Sequence, residues 1–127
     1  MTQKATEFTV YRKVVTMSLI DQRITDAIDY AKEVISDCCA LEANIAAEVL
    51  VASPENMSVA ASFDKTNSGA LYNGSRNLEA LIKDEASVTF TDAAKIHHLA
   101  AELKRRFEDV ERVGMALGLN IQVERDN

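Results

Sequence analysis

The chain has 127 residues, of which 47% are hydrophobic and 6% aromatic, and its formal net charge is −6. This length suits a single domain over residues 1–127. The acidic charge is diffuse, which argues against general binding to nucleic acid or anionic lipid, because such binding needs clustered Lys and Arg. There is no Trp, so the core must be mainly aliphatic. That composition favours helices packed on helices.

The longest pattern in the chain predicts an amphipathic helix over about 10–52. This stretch contains neither Gly nor Pro, and its apolar residues follow alternating steps of four and three, which places them on one helical face. Two alternatives stay open. Residues 8–17 also alternate in the manner of a strand, and Ser36-Asp37 could cap a separate second helix.

The middle of the chain predicts two short helices on either side of a long loop. Ser53, Pro54 and Glu55 fit the cap, the first helical position and the favourable dipole position of a helix that starts at Pro54 and ends near residue 62. Residues 63–74 are rich in Asn, Ser and Gly, which predicts a loop. A second short helix is expected over 75–85.

The C-terminal part predicts a second long helix over about 92–117. Gly118 is placed where a left-handed residue would end it. Residues 87–90 and 119–124 alternate like short strands that could pair with each other. The fold class is therefore mainly α: a helical bundle built on two long antiparallel helices with short bridging helices and at most a minor β element.

A first helix this long would extend past its partner and expose part of its apolar stripe. We therefore expect a second subunit or another protein to cover it, so that the chain forms a homo-oligomer or a coiled-coil contact. The predicted interface residues lie on that stripe: Met17, Ile24, Ile28, Ile35, Ile45 and Val49.

Cys38, Cys39, His97 and His98 are the candidates for metal binding or thiol chemistry. Adjacent pairs do not converge on one ion as Cys-x-x-Cys pairs do, and nothing marks either thiol as activated. We therefore expect no metal, no cofactor and no catalytic residue. The adjacent cysteines also suit a reducing, cytoplasmic location.

Two acids, Asp21 and Glu42, interrupt the apolar stripe of the first helix. They lie about six turns apart, so they cannot act as a carboxylate pair within one chain. We expect Ile20 and Leu41 to take their places while the acids turn towards solvent. A role in fixing the register of an assembly is the alternative.

The basic residues concentrate near the end of the chain, at Lys104, Arg105, Arg106 and Arg112. Acids stand three or four residues away, so intrahelical pairs such as Glu102 with Arg106 and Glu108 with Arg112 are expected. A solvated helix face is favoured over a nucleic-acid contact.

The predicted loop is the best place for a small ligand, since a Gly- and Asn-rich loop before a helix can hold an anion on backbone N–H groups. The candidate ligand-binding residues are Tyr72, Asn73 and Arg76, within 63–76. An ordinary connector is the simpler interpretation.

The function favoured by these features is non-enzymatic. We expect a structural or accessory component that acts through self-association or protein–protein contact, and its small size and lack of motifs suggest a virus or a mobile element. One alternative is an acidic inhibitor or immunity-type protein that blocks a basic site. Another is a small-molecule binding module that uses loop 63–76.

Overall fold

Three helices that run alternately up and down form the bundle. The computed structural model describes the backbone of residues 5–124 and the side chains of residues 20–124. Helix α1 spans Ala5–Val51, α2 spans Met57–Ile82 and α3 spans Phe90–Ala116, with a 3-10 turn at Glu85–Ser87. Each helix packs against both others, and short connections place successive helices antiparallel. The predicted helical bundle is therefore confirmed, although with three substantial helices rather than two. The predicted antiparallel packing of the two long helices is wrong: α1 and α3 run parallel, because α2 reverses the chain between them.

The bundle has two distinct ends. At the distal end α1 stops, α2 begins and α3 stops, and Gly114 of α3 faces Phe63 of α2. At the proximal end α2 stops and α3 begins, and the guanidinium of Arg23 lies over the ring of Phe90. Helix α1 continues past this level by about 18 residues, or about 27 Å.

Helix α1 is one uninterrupted helix of 47 residues, about 70 Å long. It runs through Ser36 and Asp37, so the preferred prediction of continuity there is confirmed. It also includes residues 8–17, where the alternative was a strand. It ends at Val51, one residue before the predicted end, because Pro54 follows three residues later and cannot continue the helix.

The core lies between the three helices and is mainly aliphatic. Leu41 is fully buried, so it takes the place of Glu42 on the stripe as expected. Ile20 is exposed instead, because it lies beyond Arg23, where α3 has not yet begun. The core is formed by Ile28, Ala31, Val34, Cys38, Leu41 and Ile45 of α1, Ala60, Phe63, Leu71, Leu78 and Ile82 of α2, and Ile96, Ala100, Leu103, Phe107 and Val110 of α3.

The predicted loop over 63–74 is wrong, and so is its division of the region into two short helices. Helix α2 runs through it, starting three residues after Pro54. The turn-forming side chains are accommodated within the helix: Asn67 and Ser75 each donate a hydrogen bond to the carbonyl four residues earlier, at 2.8 Å. Leu71, which is fully buried, and Phe63 anchor this part of α2 in the core.

Neither predicted strand forms in the described residues, 5–124. Over 87–90 the chain leaves the 3-10 turn and enters α3 through a capping box, in which Thr89 and Asp92 each accept a hydrogen bond from the other's backbone N–H. Residues 119–124 have no regular secondary structure. The two segments lie at opposite ends of α3, so they cannot pair. Helix α3 itself confirms the predicted 92–117 within two residues, and Gly118 follows it with φ of 84°.

The C-terminal segment, residues 119–124, packs along α1 instead. Leu119 and Ile121 are buried in the core. The amide of Asn44 donates a hydrogen bond to the Ile121 carbonyl at 3.4 Å, and the carboxylate of Glu48 accepts one from the Asn120 N–H at 3.3 Å. These contacts hold the segment against the distal half of α1.

Candidate functional site

The predicted interface residues lie mainly in contact with the chain's own core. Ile28 and Ile45 are buried there, so the helices of the same chain cover them. Ile24, Ile35 and Val49 are partly buried and pack against that core. The side chain of Met17 lies outside the described residues. Binding of a partner to the parts of these side chains that remain accessible stays a prediction.

The predicted ligand residues lie on a helix rather than a loop. Tyr72, Asn73 and Arg76 are exposed on α2, and the Arg76 guanidinium lies 5.7 Å from the centre of the Tyr72 ring, one turn away. The backbone N–H groups expected to hold an anion are therefore engaged in α2. Two shallow grooves between α2 and α3 are lined by a different face of α2, which includes Ala70 and Gly74.

The cysteines and histidines do not form one cluster. Cys38 is buried, and burial raises the pKa of its thiol to about 12. Cys39 is exposed, with its pKa also raised, chiefly by desolvation and then by Glu42. His97 stacks on Tyr30 with ring centres 5.0 Å apart. Among the side chains of residues 20–124, no group of three or more His, Cys, Asp and Glu could hold a metal ion.

The basic part of α3 is a solvated face, but its ion pairs differ from those expected. Glu102 contacts His98 at 3.1 Å, and Arg112 contacts Asp109 at 2.8 Å. Spacings of three and four residues both bring side chains together on a helix, so the sequence could not choose between them. Arg106 lines the grooves beside α2.

Glu42 is the one residue among the described side chains with a buried polar atom that has no hydrogen-bond partner. It is half-buried on α1, and its Oε1 is inaccessible and has no hydrogen-bond partner. Burial raises the pKa of this carboxyl group. The sequence predicted that Glu42 would turn to solvent, but one of its carboxylate oxygens is inaccessible. The carboxyl group also helps to raise the pKa of the Cys38 thiol, one turn away on the same helix.

Replacing Glu42 with Gln should stabilise the protein at neutral pH. A carboxyl group whose pKa is raised by folding binds its proton more tightly in the folded state, so the ionised form costs stability at neutral pH. That cost grows as the pH rises from the ordinary glutamate value through the raised one, and is absent below both. The urea midpoint of Glu42→Gln should exceed that of the original protein at pH 7, and the two should converge near pH 4.

The matched control for this prediction is Asp21→Asn, on an exposed part of the same helix. It removes the same charge and should leave the midpoint unchanged at both pH values. Equal gains from both variants would show that overall charge, rather than the site of Glu42, is responsible.

The most exposed large apolar side chains among residues 20–124 are at the distal end. Leu50 is 85% exposed and Val51 is 75% exposed, although both belong to the last turn of α1. Seven of the eleven exposed large apolar side chains within 20–124 are near this end. We call these seven the apolar end: Leu50, Val51, Met57, Val59, Val113, Met115 and Leu117.

Sequence reasoning missed the apolar end, although one signal for it was present. Val49, Leu50 and Val51 are three consecutive apolar residues, and successive residues of a helix are about 100° apart. They cannot all face one core. Val49 packs against the core, so the two residues that follow it, Leu50 and Val51, remain exposed.

Further exposed apolar side chains lie at the proximal end, where α1 continues past α3. Ile20 and Phe90 are each partly exposed there, at 41% and 45%. An open cavity of about 390 Å³ lies beside Phe90 and is lined mainly by apolar atoms of α1 and α3, together with Arg23 and His97. This surface adjoins the part of α1 that extends beyond the bundle.

No protein-family model, curated protein or solved structure matches this chain. None of the helices, over the residues described, has a stretch long and apolar enough to cross a membrane.

Proposed function

We propose that this chain is a non-enzymatic helical protein that works by binding another protein through its apolar end. The observation that carries this proposal is the high exposure of Leu50 and Val51 in an ordered helix. Exposed apolar clusters of this kind often mark protein–protein contacts. A structural or accessory role, in the cytoplasm and with a viral or mobile-element origin, is the setting we propose for it.

The apolar end suits an interface because its side chains are held by regular structure. Leu50 and Val51 end α1, while Met57 begins α2. Two backbone N–H groups donate to the Ser53 carbonyl, at 2.8 and 2.9 Å, and fix the turn between the two helices. Binding of a partner would therefore require little additional ordering of the backbone. Full burial of each such side chain would contribute about 1.5–3 kcal/mol to the free energy of binding.

A non-enzymatic role is supported by the state of the reactive side chains. Burial raises the pKa of the Cys38 thiol to about 12, whereas a nucleophilic cysteine needs a lowered pKa. The imidazole of His97 stacks on Tyr30, and His98 pairs with Glu102. These groups are separate and lack the mutual geometry of a nucleophile with its base.

Self-association through the proximal end is the second candidate. It is favoured by the part of α1 that continues past Phe90, together with the exposed Ile20 and the cavity beside Phe90. A second copy could pack its own α1 along this extension, as in a coiled coil. The two candidates place the partner at opposite ends of the same bundle.

A photo-crosslinking residue placed at each end tests both candidates. We expect p-benzoylphenylalanine at Leu50, in the cells that carry the gene, to give one discrete adduct with a different protein. At Ile20, an adduct at twice the 14.0 kDa chain mass would identify a second copy. The same photo-crosslinking residue placed at Asp29, which is exposed on the side of α1, is the control and should give no discrete adduct.

The double variant Leu50→Ser/Val51→Ser tests whether loss of the exposed apolar side chains abolishes binding of the partner. Both residues are exposed, so the double change should alter the free energy of unfolding by less than about 1 kcal/mol, while abolishing an adduct formed from a probe at Met57. Absence of any adduct from probes at Leu50 and Met57 would overturn the proposed function.

A further inference from the structure

We infer that the surface bound by the apolar end is itself cationic and apolar, such as one face of a basic amphipathic helix in the partner protein. This inference rests on the proposed function and adds the chemistry of the partner. It follows from the charges that surround the apolar end, which are almost all negative.

The stretch that builds most of the apolar end contains no basic residue. Between Lys32 and Lys65 the chain has acids but no Lys, Arg or His. Glu48 and Glu55 lie in the part of this stretch nearest the apolar end, and a hydrogen bond from Ser53 lowers the pKa of Glu55 and keeps it ionised. Arg112, the nearest cation of α3 among the described residues, is already paired with Asp109.

The helix termini add to this negative field. Both α1 and α3 end at the apolar end, and a helix C-terminus carries a partial negative charge from its last carbonyls. Neither last turn contains a basic residue to offset it. Only α2 contributes a helix N-terminus here, and Glu55 lies just before it.

Other occupants fit these charges less well. A second copy joined end to end would bring like charges and like helix termini together, which is unfavourable. An anionic membrane would be repelled for the same reason. A cationic partner gains both burial of the apolar side chains and attraction to the surrounding acids.

Two synthetic helical peptides of about 14 residues provide the probe. One is built from Leu and Lys, and the other has every Lys replaced by Glu. With a fluorescent label on the peptide, anisotropy at low salt should show saturable binding of the Leu/Lys peptide and none of the Leu/Glu peptide. Raising NaCl from about 50 to about 500 mM should weaken binding about tenfold by screening.

Matched variants place the binding at the apolar end rather than on the acidic chain as a whole. Leu50→Ser/Val51→Ser should weaken binding at least about tenfold, and Glu55→Gln about two- to threefold. Ile20→Ser and Asp21→Asn make the same kinds of change near the proximal end and should leave the affinity unchanged.

The outcomes separate this inference from the proposed function. The inference of a cationic partner would be overturned by equal binding of both peptides or by binding of anionic vesicles instead. It would also be overturned if Ile20→Ser and Asp21→Asn lost as much affinity as the variants at the apolar end. Crosslinking at Leu50 could still succeed, and the proposed function would then stand without this inference. An end-to-end dimer captured at Leu50 would also overturn it.

Discussion

Replacement of Leu71 with alanine is expected to lower the free energy of unfolding by about 2–5 kcal/mol, the usual cost of truncating a fully buried leucine. Leu71 has no solvent exposure and lies at the centre of α2, in the hydrophobic cluster that joins the three helices. The loss combines the transfer free energy of the removed methyl groups with the cavity that remains. Urea denaturation with a shared m-value measures it.

Leu81→Ala is the matched control on the same helix. Leu81 is 36% exposed, so the same truncation should cost much less, about 1 kcal/mol or below. If both variants lose the same small amount, Leu71 is not in the core and the region around it is a loop after all. This pair therefore tests the correction of 63–74 from loop to helix.

Gly114→Ala is expected to destabilise the protein by about 1–3 kcal/mol, because it adds a methyl group to a closed contact. A Cβ at this position would overlap Cδ1 of Ile121 and stand 3.0 Å from Cζ of Phe63. Alanine is the better helix former by about 1 kcal/mol, but that gain is smaller than the cost of moving both neighbours. Thermal unfolding monitored by circular dichroism would show the lower midpoint.

Gly69→Ala makes the same chemical change where nothing lies within 4 Å of the added Cβ. Because Gly69 is inside α2, the substitution should stabilise the protein by up to about 1 kcal/mol. A gain at Gly114 would contradict the close packing of α3 against Phe63 and the C-terminal segment. A loss at Gly69 would contradict the helical backbone there.

The long helices could be predicted because their information is local and repeated. Steps of three and four residues recur along α1 and along α3, and neither is interrupted by proline. Such a pattern fixes both the helix and the face that it buries. Gly118 ended α3 for an equally local reason, since its positive φ suits glycine.

The middle of the chain could not be predicted in this way. Asn67, Ser68, Gly69, Asn73 and Gly74 have weak helix propensity, and their local signal indicates a turn. What overrides it is the burial of Phe63 and Leu71 against α1 and α3, together with side-chain hydrogen bonds to carbonyls within α2. Those contacts exist only once the three helices are assembled.

The same distinction applies to the candidate surfaces. Spacing alone placed Ile28 and Ile45 on an apolar stripe, but it could not say whether a second subunit or the chain's own α2 and α3 would cover them. The sequence by itself determined the helical class, the two long helices and the face that each one buries, because these depend on periodicity along the chain. Only the tertiary structure decided the course of α2, the packing of residues 119–124 on α1 and the apolar end, because each depends on which distant residues come together.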